Sequence, residues 1–300
     1  MDTTFPRISV VTPSFNQVRF LEATINSVLS QNYSNLEYII IDGGSKDGSV
    51  DIIKKYEAYL HFWCSEPDHG QYDAINKGFS KSTGDILAWL NSDDMFLPWT
   101  FKTIAGIMST FPKIEWLTTL QQGQWDWHGF FLGVKMIPGY SREAFLEGRY
   151  LPGMHSEAFG HVQQESTFWT HNLWNKVGAH LSTEYALASD FDLWARFYEH
   201  ADLYGTPSPL GGFRSHIDQQ SSTQPDLYLK EATHSLERMR TALHWSSTPP
   251  RSMGTRRRLN LMPILKGGSE STPCYHGKRV LRKNLGSSQN RWEIEEYTFQ

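Results

Sequence analysis

Four short polar segments in the first hundred residues hold the side chains with most chemical scope. They are Thr12-Pro13-Ser14, Asp42-Gly43-Gly44-Ser45-Lys46-Asp47-Gly48, Glu66-Pro67-Asp68 and Asn91-Ser92-Asp93-Asp94. Grouped carboxylates repel a bare phosphate, so a nucleotide diphosphate bound among them needs a divalent cation as a bridge. Oxygen donors suit Mg2+ or Mn2+ better than zinc. Asp93-Asp94 is the pair assigned to that cation. Taken singly, each segment reads as a polar loop in which Ser45 or Asp47 caps a helix. Their convergence on one edge is what favours a site.

The pattern between the segments explains how they would converge. Ile8-Ser-Val-Val-Thr12 reads as a strand, and Phe20, Leu21, Ile25, Val28 and Leu29 then recur at helical spacing before Leu36-Glu-Tyr-Ile-Ile-Ile41 supplies a second strand. Val50–Tyr56 reads as a helix, His61–Cys64 as a strand, Tyr72–Ser80 as a helix and Ile86–Leu90 as a fourth strand. Such alternation predicts an α/β domain with a largely parallel, Rossmann-like sheet flanked by helices on both faces. Each polar segment then falls at the carboxyl end of a strand, the edge along which open α/β sheets bind ligands. A nicotinamide dehydrogenase shares this topology, but the first strand-to-helix turn is Thr12-Pro-Ser-Phe-Asn16, without the glycines that hold a pyrophosphate, and no Walker-type loop occurs.

With 300 residues, 39% apolar and 14% aromatic, the chain can fill one large core, alone or with a smaller appendage. A net charge of -4 gives no global attraction to nucleic acid, and no such partner is expected. Cys64 and Cys274 read as incidental thiols; with no signal-like or 20-residue apolar stretch, they point to the cytoplasm. Residues 251–300 hold ten Lys/Arg against four Asp/Glu, a net of +6, which leaves -10 for residues 1–250. Pro249-Pro250, Gly267-Gly268 and Gly286-Ser287-Ser288 place a boundary near residue 247 and predict loose packing beyond it. Arg256–Arg258, Lys278-Arg279 and Arg282-Lys283, with Leu259, Leu261, Ile264 and Leu265, make this basic tail a candidate for peripheral contact with the inner face of an anionic membrane. A solvated tail, or a cover for the acidic body, is the plainer reading.

The polar segments belong to a longer ordered series: Val11-Thr-Pro-Ser-Phe-Asn16, Ile41-Asp-Gly-Gly-Ser-Lys-Asp-Gly48, Glu66-Pro-Asp-His-Gly-Gln-Tyr-Asp-Ala-Ile-Asn-Lys-Gly78, Leu90-Asn-Ser-Asp-Asp94, Gln164-Glu-Ser-Thr-Phe-Trp169 and Ser189-Asp-Phe-Asp-Leu-Trp194. Over roughly residues 6 to 222 this series resembles glycosyltransferase family 2, inverting enzymes with the GT-A fold, a mixed Rossmann-like sheet. The resemblance implies transfer of a sugar from a nucleotide-sugar donor, UDP or dTDP favoured, to a hydroxyl of a saccharide or lipid-linked acceptor in bacterial-type polysaccharide or glycoconjugate assembly. It implies that Thr12 and Pro13 flank the nucleotide, that Asp42 accepts a hydrogen bond from a uracil or thymine N–H, and that Asp68 lies near the base or ribose, with Gly43 and Gly44 allowing close approach. Asp94 would bind Mg2+ or Mn2+ directly, and Asp93 would hold ribose or a metal-bound water.

By the same resemblance Asp190 is the catalytic base, although Ser189 stands where the family usually has Glu, and His216 completes the metal shell or touches the diphosphate. Arg214 would neutralise phosphate; Gln164 and Glu165 fall in the acceptor half, Glu165 being the next candidate for the base. Trp125 and Trp127, in a polar Gln-Trp-Asp-Trp-His run, are candidates for stacking on a sugar, while Trp116, Trp169 and Trp174 read as core. Pro98-Trp99 departs from the Pro-Gly that relatives often place after the metal motif. Asp190 and Asp192, two apart on one helix, should face different ways.

The organisation that follows is a GT-A domain over residues 1–222, with a nucleotide-sugar half (1–98) and an acceptor half (99–222), then a C-terminal helix (223–247) and a basic, loosely packed tail (248–300). A sugar nucleotidyltransferase is the main rival, but Thr12–Phe20 has only Arg19 and no glycine where such enzymes carry a basic, glycine-rich loop. A non-catalytic carbohydrate-binding protein on the same fold is the second rival, against which the retention of Asp42, Asp94 and Asp190 speaks.

Overall fold

Strand β1 (Ile8–Ser14) is buried along its whole length. Its side chains alternate between two cores, Ile8 and Val10 on one face and Val11 on the other. In β2 (Leu36–Asp42), Tyr38 and Ile40 join the first core, and Ile39 and Ile41 the second. Burial on both faces is why these strands read as apolar runs rather than as strict alternation. A computed structural model describes residues 5–152, 158–216, 219, 223–246, 273–284 and 290–300.

The first core is covered by α1 (Leu21–Leu29), α2 (Ser49–Tyr56) and α4 (Thr100–Thr110). The second is covered by α3 (Gln71–Phe79), α5 (Arg142–Leu146), α6 (His171–Lys176), α7 (Ser189–His200) and α8 (Pro225–Ala242). Helix α3 lies close on β1 because Gly78 has no side chain; a Cβ there would fall 2.4 Å from Val11 Cγ1.

The remaining strands are β3 (Phe62–Ser65), β4 (Ile86–Trp89), β5 (Met95–Phe96), β6 (Trp116–Thr119), β7 (Gln121–Trp125), β8 (Phe131–Met136), β9 (Phe168–Thr170), β10 (Tyr204–Thr206), β11 (Gly211–Arg214), β12 (Tyr275–Asn284) and β13 (Asn290–Phe299). Seven of these join β1 and β2 in one nine-stranded sheet of order β13-β12-β10-β6-β9-β4-β1-β2-β3. It is mixed: β9 runs antiparallel to β4 and β6, whereas β1, β2, β3 and β4 are mutually parallel. A second sheet, β5-β11-β7-β8, sets Gly212 opposite Met95 and so carries Arg214 alongside Asp94.

Tryptophans fill the middle of the second core. Trp194 stacks on Trp89 at 5.9 Å and on Trp116 at 5.6 Å, with Trp169 edge-on at 6.0 Å. Trp116, Trp169 and Trp174 are thus core residues, as their sequence setting suggested.

The expected C-terminal helix is α8. Beyond it, the expectation of loose packing fails over residues 275–299. There β12 and β13 pair through ten residues each, and β12 adds to the main sheet beside β10. Val280 and Phe299 turn inward, and the cations that seemed free are matched across strands. Lys278 meets Asp202 at 2.6 Å, Arg279 meets Glu295 at 2.7 Å, and Lys283 meets Glu293 at 2.5 Å, while Arg282 lies over the Trp292 ring. Cross-strand neighbours, invisible in a linear charge count, neutralise this part of the tail. Arg256–Arg258 with Leu259, Leu261, Ile264 and Leu265 lie outside the described residues. Among the described residues no helix is long and apolar enough to cross a membrane.

Phe299 packs on Phe159 and Tyr275 and occupies the space a side chain at Gly139 would take. Phe299→Ala should therefore lower unfolding stability by about 3 kcal/mol in urea titration. An unchanged midpoint would mean that the hairpin is an appendage.

Candidate active site

After β4 the chain turns through Asn91–Asp94, closed by the Asp94 N–H donating to the Asn91 carbonyl at 3.1 Å. Thr24 on α1 anchors this turn, its hydroxyl 2.9 Å from the Ser92 carbonyl and 2.8 Å from that of Asp94. The turn aims the Asp94 side chain inward, where it is 1% exposed. Its Oδ1 accepts the Arg214 N–H at 2.9 Å and its Oδ2 the Asn91 amide at 3.3 Å. Burial first, then the charges of Asp93 and Glu165, hold the Asp94 carboxyl well above the usual range.

Asp93 turns the other way and meets His216 Nε2 at 2.7 Å. The His216 ring lies 4.7 Å from Phe20, whose other neighbours are the Arg214 guanidinium at 5.1 Å and Trp127 at 5.2 Å. Arg214 is almost fully buried, with Nε and Nη2 lacking a protein partner. Burial pulls its pKa down while Asp94, Asp93 and Asp126 oppose that pull. His216 thus enters the site as the partner of Asp93.

Gln164 and Glu165 sit in a short 3-10 turn ahead of β9, tied to the end of β4 by the Gln164 amide donating to the Trp89 carbonyl at 2.6 Å. Glu165 is buried, its Oε1 has no partner, and burial, reinforced by Asp93 and Asp190, pushes its pKa up to about 7. Glu165 therefore links the Asn91–Asp94 turn electrostatically to Asp190, which lies far away in sequence.

Asp190 is the second residue of α7. Its Oδ1 accepts the Phe191 N–H at 2.7 Å, and the Tyr228 hydroxyl of α8 lies 3.2 Å from each oxygen. Burial pushes its pKa up to about 6, against those hydrogen bonds. Asp192 faces elsewhere, held by Arg196 at 2.9 Å and Ser235 at 3.1 Å. The two-residue offset separates them as expected.

On the β1 and β2 side the carboxylates serve the backbone. Asp42, fully buried, accepts at Oδ2 from the Gly44 and Ser45 N–H groups and the Ser65 hydroxyl, and at Oδ1 from the Ser45 hydroxyl. Its carboxylate is largely committed to its own loop. Gly43 makes room for Asp68, whose Oδ2 would lie 2.8 Å from a Cβ there; this close approach is to Asp68 itself. The Thr12 hydroxyl turns inward to Tyr38 at 3.1 Å, and Pro13 pairs across from Ile41 in the sheet. Trp125 packs edge-on to Phe131 at 4.9 Å and against Gly212, half-buried in the second sheet. Trp99 donates to the Pro209 carbonyl at 2.8 Å, which fixes the loop at Pro98-Trp99.

Sequence reasoning placed Phe20 on a helix face and missed its position between Arg214 and His216. It also missed Tyr228 and Glu231, which carry no motif and reach Asp190 and its lead-in only through the packing of α8. Among the described residues no group of three or more His, Cys, Asp and Glu is arranged to hold an ion. What the site offers is one deeply buried carboxylate, Asp94, beside other acids and two unpartnered guanidinium nitrogens. The acids of this set would suit an ion that completes its shell with ligand phosphate and water, while the guanidinium can take no part as a ligand.

Residues 9–149 match the model of glycosyl transferase family 2. An uncharacterized glycosyltransferase of Mycobacterium tuberculosis (strain ATCC 25618 / H37Rv) is 44% identical over 95 residues, 31% of this chain and 36% of that protein. The chain thus spans about a third of the length of that relative. Among solved structures, Staphylococcus aureus TarS in complex with UDP-GlcNAc aligns with a TM-score of 0.61 at 15% identity, over 78% of this chain and 66% of that one. The mannosyltransferase PcManGT from Pyrobaculum calidifontis, in complex with GDP-Man and Mn2+, aligns with a TM-score of 0.56 at 15% identity, over 83% of this chain and 67% of that one. The fold is that of the GT-A glycosyltransferases.

Asp190 has a folded-state pKa of about 6 against an ordinary 3.8. Between those values the folded protein keeps a proton that the unfolded chain has released, so stability falls as pH rises through this window and stays lower above it. Asp190→Asn should therefore be more stable than wild type at pH 7.5, on the order of 1 kcal/mol, with the gain shrinking toward pH 4. Thermal unfolding across that range checks it; an equal effect at both ends would mean that Asp190 is not forced to carry its charge at a cost.

Proposed function

We propose that this chain, whose residues 9–149 match glycosyl transferase family 2, is an inverting glycosyltransferase. It moves a sugar from a nucleoside diphosphate, UDP or dTDP favoured, to an acceptor hydroxyl in the assembly of a bacterial-type glycan. One observation carries the reading: the buried Asp94 and Glu165 and the partly exposed Asp93 and Asp190 form a single electrostatically connected group beyond the carboxyl end of β4. TarS with UDP-GlcNAc, and PcManGT with GDP-Man and Mn2+, support the donor class and the ion.

Asp94 would hold Mg2+ or Mn2+. Bound there, the ion supplies Lewis-acid stabilisation of the charge on the leaving diphosphate. Arg214, beside Asp94, adds a second positive group whose buried Nε and Nη2 have no protein partner. Asp190, with a pKa of about 6, is ionised at neutral pH and still basic enough to accept a proton. It takes the proton of the acceptor hydroxyl as that oxygen bonds to the anomeric carbon and the bond to the diphosphate breaks on the opposite face, so the carbon inverts. One carboxylate suffices for this chemistry, and Asp192, committed to Arg196 and Ser235, stands aside.

Two variants separate the roles. Asp94→Ala should lose Mn2+-dependent binding of UDP in calorimetry; affinity equal to wild type with the same Mn2+ dependence removes the metal assignment. Asp190→Asn should lower kcat and kcat/KM together by roughly 10²–10⁴-fold with UDP affinity nearly unchanged. Near-normal transfer by Asp190→Asn would shift the role to Glu165.

A further inference from the structure

We infer that Tyr228 and Glu231 of α8 are positioning residues for Asp190, one fixing its carboxylate and the other the backbone that delivers it. The inference rests on the reading of Asp190 as the base. Tyr228 places one hydroxyl 3.2 Å from both Asp190 oxygens, so its single proton can engage either and leave the remaining lone pairs to accept another. Glu231 lies three residues further along the same face of the helix. Its Oε1 accepts the Ala186 N–H at 2.9 Å, and its Oε2 those of Leu187 at 2.8 Å and Ala188 at 3.0 Å. These donors immediately precede α7, where the helix dipole favours a carboxylate.

The same segment is also held by α3. The Tyr72 hydroxyl of α3 donates to the Leu187 carbonyl at 2.5 Å and accepts the Ser189 N–H at 3.3 Å. Packing of α8 against the core needs none of these polar contacts, since Ala232, Leu236 and Met239 already bury its apolar face. Tyr228 and Glu231 instead place their polar groups on the proposed base and on the three residues that lead into α7.

The titratable groups that act on Asp190 are Tyr72 from α3, Glu165 from the 3-10 turn, and Tyr228 and Glu231 from α8. All are acids, so the carboxylate has no cation among them and relies on neutral donors to stay ionised despite burial. Tyr228 is the side-chain donor that does this. The sign of each contribution follows: the Tyr228 hydrogen bond lowers the Asp190 pKa, and the Glu231 charge raises it.

The test is a carboxyl titration of the full chain carrying ¹³Cγ-labelled aspartate, with the Asp190 resonance identified by its loss in Asp190→Asn. Tyr228→Phe should move the Asp190 midpoint upward by roughly one pH unit, and Glu231→Gln should move it downward. Glu231→Gln should also speed hydrogen exchange at the Ala186, Leu187 and Ala188 amides at least tenfold relative to wild type. An unmoved midpoint in Tyr228→Phe overturns the role of Tyr228; unchanged exchange at those three amides overturns that of Glu231. Neither readout depends on turnover, so failure here is distinct from failure of the base assignment, which Asp190→Asn tests by transfer.

Discussion

Asp94 cannot carry its charge comfortably where the fold puts it, with Asp93 next in the chain, the charge of Glu165 nearby and almost no exposure to solvent. A carboxylate in such a place either takes up a proton or acquires positive charge from outside. Much of the surrounding architecture is a response to that condition. The second sheet pairs β11 with β5 and so delivers the Arg214 amide to Asp94 and its guanidinium close by. His216, two residues later, reaches back to Asp93. The proposed divalent ion would complete the same compensation when the diphosphate arrives.

The acids are kept apart from one another's tasks by being held on different elements. Asp94 belongs to the turn after β4, Glu165 to a 3-10 turn, and Asp190 to the first turn of α7, so each has its own neighbours and its own degree of burial. Asp190 keeps hydrogen bonds from Phe191 and Tyr228 and lands near pH 6, whereas Glu165 lands near 7. Burial lifts both carboxylates well above their ordinary values of 3.8 and 4.5, toward neutral pH where they can exchange a proton.

Rigidity for this arrangement comes from the layer beneath it. The stacked Trp89, Trp116 and Trp194 join β4, β6 and α7, so the strand that leads into Asp93-Asp94 and the helix that bears the proposed base share one aromatic core. A shift of one would have to break that stacking, which makes the distance between the two centres a property of the core rather than of the loops.

Strand and helix order through residue 90, the edge on which the acidic segments meet, the divergence of Asp190 from Asp192 and the core role of Trp116, Trp169 and Trp174 all follow from local patterns. Apolar runs of period two and near four state which face is buried, and a polar segment after each run marks a strand end. Partners are another matter. That Asp42 serves its own loop, that Thr12 turns to Tyr38, that His216 pairs with Asp93 and that Lys278, Arg279 and Lys283 are neutralised in a hairpin depends on chain segments brought together from afar. Hydrogen bonds and charge pairs are set by distances in space, and the linear order of residues carries those distances only within a turn or a strand. The chemistry available was therefore written in residue types and spacing, while its allocation to particular partners was decided by tertiary packing.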